Sequence, residues 1–138
     1  MRGHLTGSID AVLRHPETDD YIVVDYKTNK LTTFGAKATS DDYHPARLPD
    51  AMAHHHYPLQ GLLYSVALHR YLRWRLADYD PARHLGGMAY LFVRGMTGPT
   101  TRVAVDAPFA GQRHGVYSWR PPTALIVELS DLLDGVRA

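Results

Sequence analysis

A chain of 138 residues can bury one hydrophobic core, and its 45% hydrophobic and 21% charged content is ordinary for a globular domain. The formal net charge of +1 is too small to mark a nucleic-acid binder on charge alone, so any grip on DNA must come from local patches or neighbouring parts. Cysteine is absent, which excludes disulfides and thiolate metal sites; with no apolar run near the roughly 20 residues that span a bilayer and no signal-peptide pattern, the cytoplasm is the expected compartment.

In chain order, the first predicted unit is a hairpin from Gly7 to Asn29. Ile9, Ala11 and Leu13 alternate on the first strand, His15 to Asp20 is a Pro/Asp-rich turn, and Tyr21 to Lys27 is a β-branched and aromatic second strand. Asp10 and Asp25 are equidistant from the turn midpoint between Glu17 and Thr18, so they are expected side by side. Two carboxylates about 5 Å apart repel unless a proton or a cation sits between them. Lys27 follows Asp25 by two residues and projects from the same face. Carboxylates are hard ligands suited to Mg²⁺, and a neighbouring ammonium can offset charge on a phosphate, so the set suits phosphodiester hydrolysis. The same Asp-x-Lys spacing on an exposed strand also describes a solvated ion pair.

Lys30 to Pro49 mixes Thr, Ser, Asp, Gly and Pro without a period and reads as a long surface loop or a flexible connector. Asp50 is the expected N-cap of a short helix through His56, and Pro58 suits the first turn of a longer helix reaching about Ala77. On that helix Gln60 and Tyr64 stand four apart and share a face. His54, His55 and His56 are consecutive and point in three directions, which disfavours a shared metal. His69, Arg70, Arg73 and Arg75 read as a solvated basic stretch, and Tyr71, Trp74 and Tyr79 as packing. Gly86 to Arg94 is expected as a buried strand and Val116 to Trp119 as a short one. Arg94 and Arg120 end these strands without an assigned role. Pro122 to Leu133 reads as an amphipathic helix with Leu125, Leu129, Leu132 and Leu133 on one face and Gly135 beyond its end.

Several of these stretches together resemble the RecB-type nuclease domain of bacterial recombination helicase-nucleases, within the PD-(D/E)xK superfamily. The residues concerned are Arg2-Gly3, Gly7-x-Ile9-Asp10, Asp25-Tyr26-Lys27-x-Asn29, the run from Leu59 to Asp80, Gly86 to Gly95 and Gly115 to Pro121. The resemblance implies an α/β, restriction-endonuclease-like mixed sheet flanked by helices, with residues 1–138 forming the C-terminal portion of a single nuclease domain truncated at its N-terminal side. It implies Mg²⁺ held by Asp10, Asp25 and the backbone carbonyl of Tyr26, catalysis by Asp10, Asp25 and Lys27, and support from Gln60 and Tyr64 beside the site.

The same resemblance implies DNA as substrate and RecC, RecD and the RecA recombinase as partners, in double-strand-break repair, with no membrane. ATP belongs to absent helicase domains. In such domains an upstream helix carries a histidine that completes the metal ligands; His4 precedes the first strand and is not that residue. The isolated segment is therefore expected to be weak or inactive as a nuclease. An alternative is a non-catalytic docking module for RecA or partner subunits.

Overall fold

A computed structural model of the chain describes residues 6–32, 35–96, 98, 102–103 and 108–135. Arg2, Gly3 and His4 lie outside the described residues. The elements are β1 (Ala11–Arg14), β2 (Tyr21–Lys27), a 3-10 turn (Ser40–Tyr43), α1 (Leu48–His54), α2 (Tyr57–Arg75), α3 (Pro81–His84), β3 (Leu85–Phe92), a second 3-10 turn (Val93–Gly95), β4 (Val116–Trp119) and α4 (Thr123–Leu133). The strands form one mixed sheet in the order β1-β2-β3-β4. β1 and β4 run antiparallel to their neighbours, and β2 and β3 are parallel. A parallel pair needs a long crossover, which the helices α1, α2 and α3 supply. The result is an α/β sheet flanked by helices, compatible with a restriction-endonuclease-like fold.

The hairpin has the register expected from its turn. Ala11 pairs with Val24 and Arg14 with Tyr21, so Asp10, one residue before the ladder, continues it opposite Asp25. The inward alternation of β1 fades toward the turn, for Ile9 packs on the core while Leu13 is exposed. In β2, Val23, Val24 and Asp25 are buried in succession, as in a strand covered on both faces. Val23, Asp25 and Lys27 pair with Met88, Tyr90 and Phe92 of β3, and these six positions share one face by strand periodicity. Across that face lies α2. It comes close because position 61 is glycine: a Cβ there would collide with the Met88 sulfur and reach within 3.1 Å of the Tyr90 hydroxyl.

Three expectations about local structure are corrected. The segment from Lys30 to Pro49 is anchored, with Tyr43 and Leu48 wholly buried in the core. The Tyr43 hydroxyl donates to the carbonyl of Asn29 at 3.0 Å, which ties the loop back to the end of β2. Asp50 is not an N-cap; α1 begins at Leu48, where Pro49 fits the first turn, and Asp50 lies inside that turn. In α4 the buried residues are Ile126 and Ser130, whereas Leu125, Leu132 and Leu133 are exposed. The helix docks on that face because Arg70 of α2 donates from Nε to Ser130 Oγ at 3.0 Å and from Nη2 to the Ser130 carbonyl at 2.7 Å.

The remaining α2 residues divide between core and solvent. Its basic stretch is not uniformly solvated, for His69 is buried, with Nδ1 2.8 Å from the Tyr79 hydroxyl. Tyr71 and Trp74, expected to pack, point outward, with Trp74 77% exposed. Only Tyr79 of the three packs, stacking on the ring of His84.

Candidate active site

The C-terminal half of β2 brings Asp25 and Lys27 under the first turns of α2. Asp25 is buried, and Lys27 Nζ lies 2.6 Å from its Oδ2 as an ion pair with little solvent access to either side chain. The pair does not have hydrogen-bond geometry, so Asp25 Oδ2 is a buried carboxylate oxygen without a hydrogen bond. Such an oxygen is costly unless a cation compensates it. Lys27 Nζ also donates to Gln60 Oε1 at 3.0 Å, and Gln60 Nε2 donates to the Tyr64 hydroxyl at 3.0 Å. The spacing of Gln60 and Tyr64 on one helical face thus delivers Gln60 to the lysine and Tyr64 to the Gln60 amide.

Asp10 is exposed at the strand edge, where its Oδ2 accepts the backbone N–H of Tyr26 at 2.9 Å. In a strand the N–H and C=O of one residue point to the same side. The Tyr26 carbonyl therefore faces the β1 side, toward Asp10, while its side chain is half exposed. Among the described residues no three His, Cys, Asp or Glu side chains gather as a metal cluster. Two carboxylates and one carbonyl still fit a hard cation of the Mg²⁺ type, which commonly uses one or two carboxylates and fills its other positions from water and substrate phosphate.

Three further residues adjoin this site and were not singled out as functional from the sequence. Tyr57, the first residue of α2, holds its ring centroid 4.0 Å from Lys27 Nζ and donates its hydroxyl to Asn29 Oδ1 at 3.0 Å. The signal was present in the spacing, since Tyr57, Gln60 and Tyr64 stand at i, i+3 and i+7 on one helical face. Tyr90 of β3, paired with Asp25, donates its hydroxyl to the Tyr57 carbonyl at 2.9 Å, and burial pushes its phenol well above the usual range, with the charge on Asp25 adding to the shift. Arg94, unassigned from sequence, donates from Nε to the Thr28 carbonyl at 2.8 Å and so braces the chain just after Lys27. Arg120 donates to the Ala82 carbonyl, and the His54–His56 run does not converge on one point: His55 stacks instead on Tyr57 at 5.2 Å.

The site is thus a buried Asp-x-Lys pair on a strand of a mixed α/β sheet flanked by helices, contacted by a helical Gln. No family model matches the chain. It is 59% identical over 134 residues to the RecBCD enzyme subunit RecB of Mycobacterium tuberculosis (strain ATCC 25618 / H37Rv), covering 97% of this chain and 11% of that protein. The corresponding subunit of Mycolicibacterium smegmatis is 57% identical over 97% of the chain, and that of Escherichia coli (strain K12) is 40% identical over 99%. These similarities identify the chain as a RecB-family segment, and it spans about a tenth of the length of the relatives it matches.

Proposed function

We propose that this segment carries the carboxylate–lysine centre of a Mg²⁺-dependent deoxyribonuclease, as the C-terminal portion of a RecB-type nuclease domain. The observation that carries the reading is the position of Lys27 Nζ, 2.6 Å from Asp25 and 3.0 Å from Gln60, on a strand whose register sets Asp25 beside Asp10. An isolated solvated ion pair would need neither burial nor a helical brace.

In this reading Asp10, Asp25 and the Tyr26 carbonyl hold the cation, which when bound supplies Lewis acidity toward the scissile phosphodiester and makes water more acidic. The other contributions come from the chain. Asp25 and Gln60 hold the Lys27 ammonium at a fixed point, from which it donates to phosphate oxygens as negative charge builds on them. Tyr64 fixes the amide of Gln60. Burial of Asp25 and Lys27 keeps their interaction from being screened by solvent.

At the level of the whole protein, the relatives' name as RecBCD enzyme subunits supports RecC and RecD as partners; DNA as substrate and the cytoplasm as compartment belong to the same proposal and rest on the sequence resemblance. Single strands produced by ATP-driven unwinding elsewhere in that protein would be the substrate, cut during double-strand-break repair and recombination. No described helix is long and apolar enough to cross a membrane. The segment alone would be a weak nuclease, because its described residues gather no cluster of three metal-ligating side chains and the chain has little net charge to hold DNA.

The test is Lys27→Ala in the full-length protein. Mg²⁺-dependent cleavage of single-stranded DNA should be lost while ATP-driven unwinding and Mg²⁺ affinity persist, and cleavage at the parental rate would remove the lysine from the reaction. One observation favours a second reading, a docking module for RecA or partner subunits: Leu59, Tyr71 and Trp74 of α2 are exposed. Tyr71→Ala with Trp74→Ala should then weaken the partner without touching cleavage.

A further inference from the structure

Lys27 is enclosed on more sides than the carboxylate and the amide account for. Its Nζ lies 4.0 Å from the ring centroid of Tyr57 and 5.3 Å from that of Tyr90. An aromatic face attracts an ammonium through its quadrupole, yet takes up none of its N–H groups as a lone pair would. Of the three donors on Lys27, one is engaged by Gln60 and the ammonium also pairs with Asp25 at 2.6 Å, while the ring steadies the charge without consuming a donor. With Gln60 and the Asp25 carboxylate each facing the ammonium, one donor is left for a phosphate. We propose that the ring of Tyr57 is a positioning element for Lys27, holding its ammonium in the orientation that cleavage requires; this rests on the reading of Lys27 as the lysine of a nuclease centre.

Tyr57 is itself held by three restraints on its ring and one on its backbone. Its hydroxyl donates to Asn29 Oδ1 at 3.0 Å, two residues beyond Lys27, so the same ring touches both sides of that turn of chain. It stacks on Tyr90 with centroids 5.6 Å apart and planes 17° apart, and on His55 at 5.2 Å and 22°. Its backbone carbonyl accepts the Tyr90 hydroxyl at 2.9 Å. Four restraints exceed what a helix N-terminus needs in order to start.

The backbone adds an independent sign. His56, just before Tyr57, adopts φ 55° and ψ 25°, the left-handed region that residues with a Cβ seldom occupy. That conformation separates α1 from α2 and lets Tyr57 begin a new helix on the Lys27 side. Strain of this kind persists where the surroundings over-determine it, and it clusters at functional sites. Histidine gains nothing from it locally, as its side chain caps no helix N–H.

Tyr57 variants in the full-length protein, assayed for Mg²⁺-dependent cleavage of single-stranded DNA, test the inference. Tyr57→Phe keeps the ring and loses only the bond to Asn29, so kcat should stay within about twofold of the parent. Tyr57→Leu removes the ring, and kcat should fall between about tenfold and a hundredfold with KM and Mg²⁺ affinity unchanged. Tyr57→Met carries the same expectation should the leucine variant not fold. Equal losses in the phenylalanine and leucine variants would assign the effect to the hydroxyl and overturn the inference. A changed Mg²⁺ affinity would do the same. If Lys27→Met itself cleaves normally, the nuclease reading fails first and the Tyr57 inference with it.

Discussion

The side-chain oxygen of Gln60 faces the ammonium of Lys27 at 3.0 Å, and this contact fixes which way the amide points. An ammonium only donates, so it must meet Oε1; Nε2 is then left for the Tyr64 hydroxyl at 3.0 Å. Gln60→Met keeps length and removes the acceptor. Cleavage by the full-length protein should fall about tenfold, the loss of one charge-assisted hydrogen bond of about 1.5 kcal/mol, with Mg²⁺ affinity unchanged. Tyr64→Phe removes only a partner of the amide and should cost less. Single-turnover assays on both variants compare the two steps of the chain.

Gly61 sets the distance between α2 and the sheet, and therefore the reach of Gln60 to Lys27. A side chain there must displace Met88, which is itself buried, and would crowd the Tyr90 hydroxyl. Gly61→Val should destabilise the domain by about 1–3 kcal/mol, a typical cost of overpacking. Met88→Ala in the same chain should recover part of that loss by opening the space. Denaturant titration of the single and double variants reads both effects.

Arg70 fastens α4 to α2 through Ser130 Oγ, the Ser130 carbonyl and Asp134. Ser130 has no solvent exposure, so its hydroxyl loses its partner when the arginine is removed. Arg70→Ala should cost about 1–3 kcal/mol, mostly from leaving that group unsatisfied, since the Asp134 pair is half exposed and screened. Thermal unfolding should show a lower midpoint, and a parental midpoint would mean that the apolar contacts of Ile126 and Leu129 suffice to dock the helix.

Stability should also depend on pH through His69. Burial holds its pKa below the usual histidine value, the nearby Arg73 adds to the effect, and Asp131 opposes it. Its Nε2 is buried without a hydrogen bond. The folded state therefore disfavours the protonated ring. The unfolded chain binds more protons once the pH drops through the ordinary histidine range near 6.5, so the stability present above that pH is lost below it. Unfolding midpoints measured from pH 7.5 to 5 should decline in the parent and decline less in His69→Gln.

What could be read from the sequence, and what could not, divides along local and tertiary lines. The hairpin register was legible because a Pro/Asp turn flanked by alternating residues admits one simple pairing, and that pairing aligns Asp10 with Asp25. Gln60 and Tyr64 were legible as one helical face. Tyr57 sat on the same face but beside three histidines, and nothing in the sequence marks His56 as a left-handed break, a role that Gly or Asn would have signalled. The face of α4 was misread in part: Leu129 packs on the core as expected, but Leu125, Leu132 and Leu133 are exposed, and Ser130 is buried where it meets Arg70, sixty residues away. Tyr43 was hidden in a loop without periodicity; its burial against the chain near Gly95 is tertiary. Tyr71 and Trp74 were expected inside, yet they lie on the side of α2 turned away from the sheet.

The most direct test of the central claim is Mg²⁺ binding to Asp25→Asn in the full-length protein, followed by calorimetry and paired with a cleavage assay. Asparagine keeps the shape and removes the charge from the buried carboxylate that contacts Lys27. Affinity should fall at least about tenfold, roughly 1.4 kcal/mol, and cleavage of single-stranded DNA should disappear with it. Unchanged Mg²⁺ affinity together with parental cleavage would contradict the assignment of Asp25 to a metal-dependent nuclease centre.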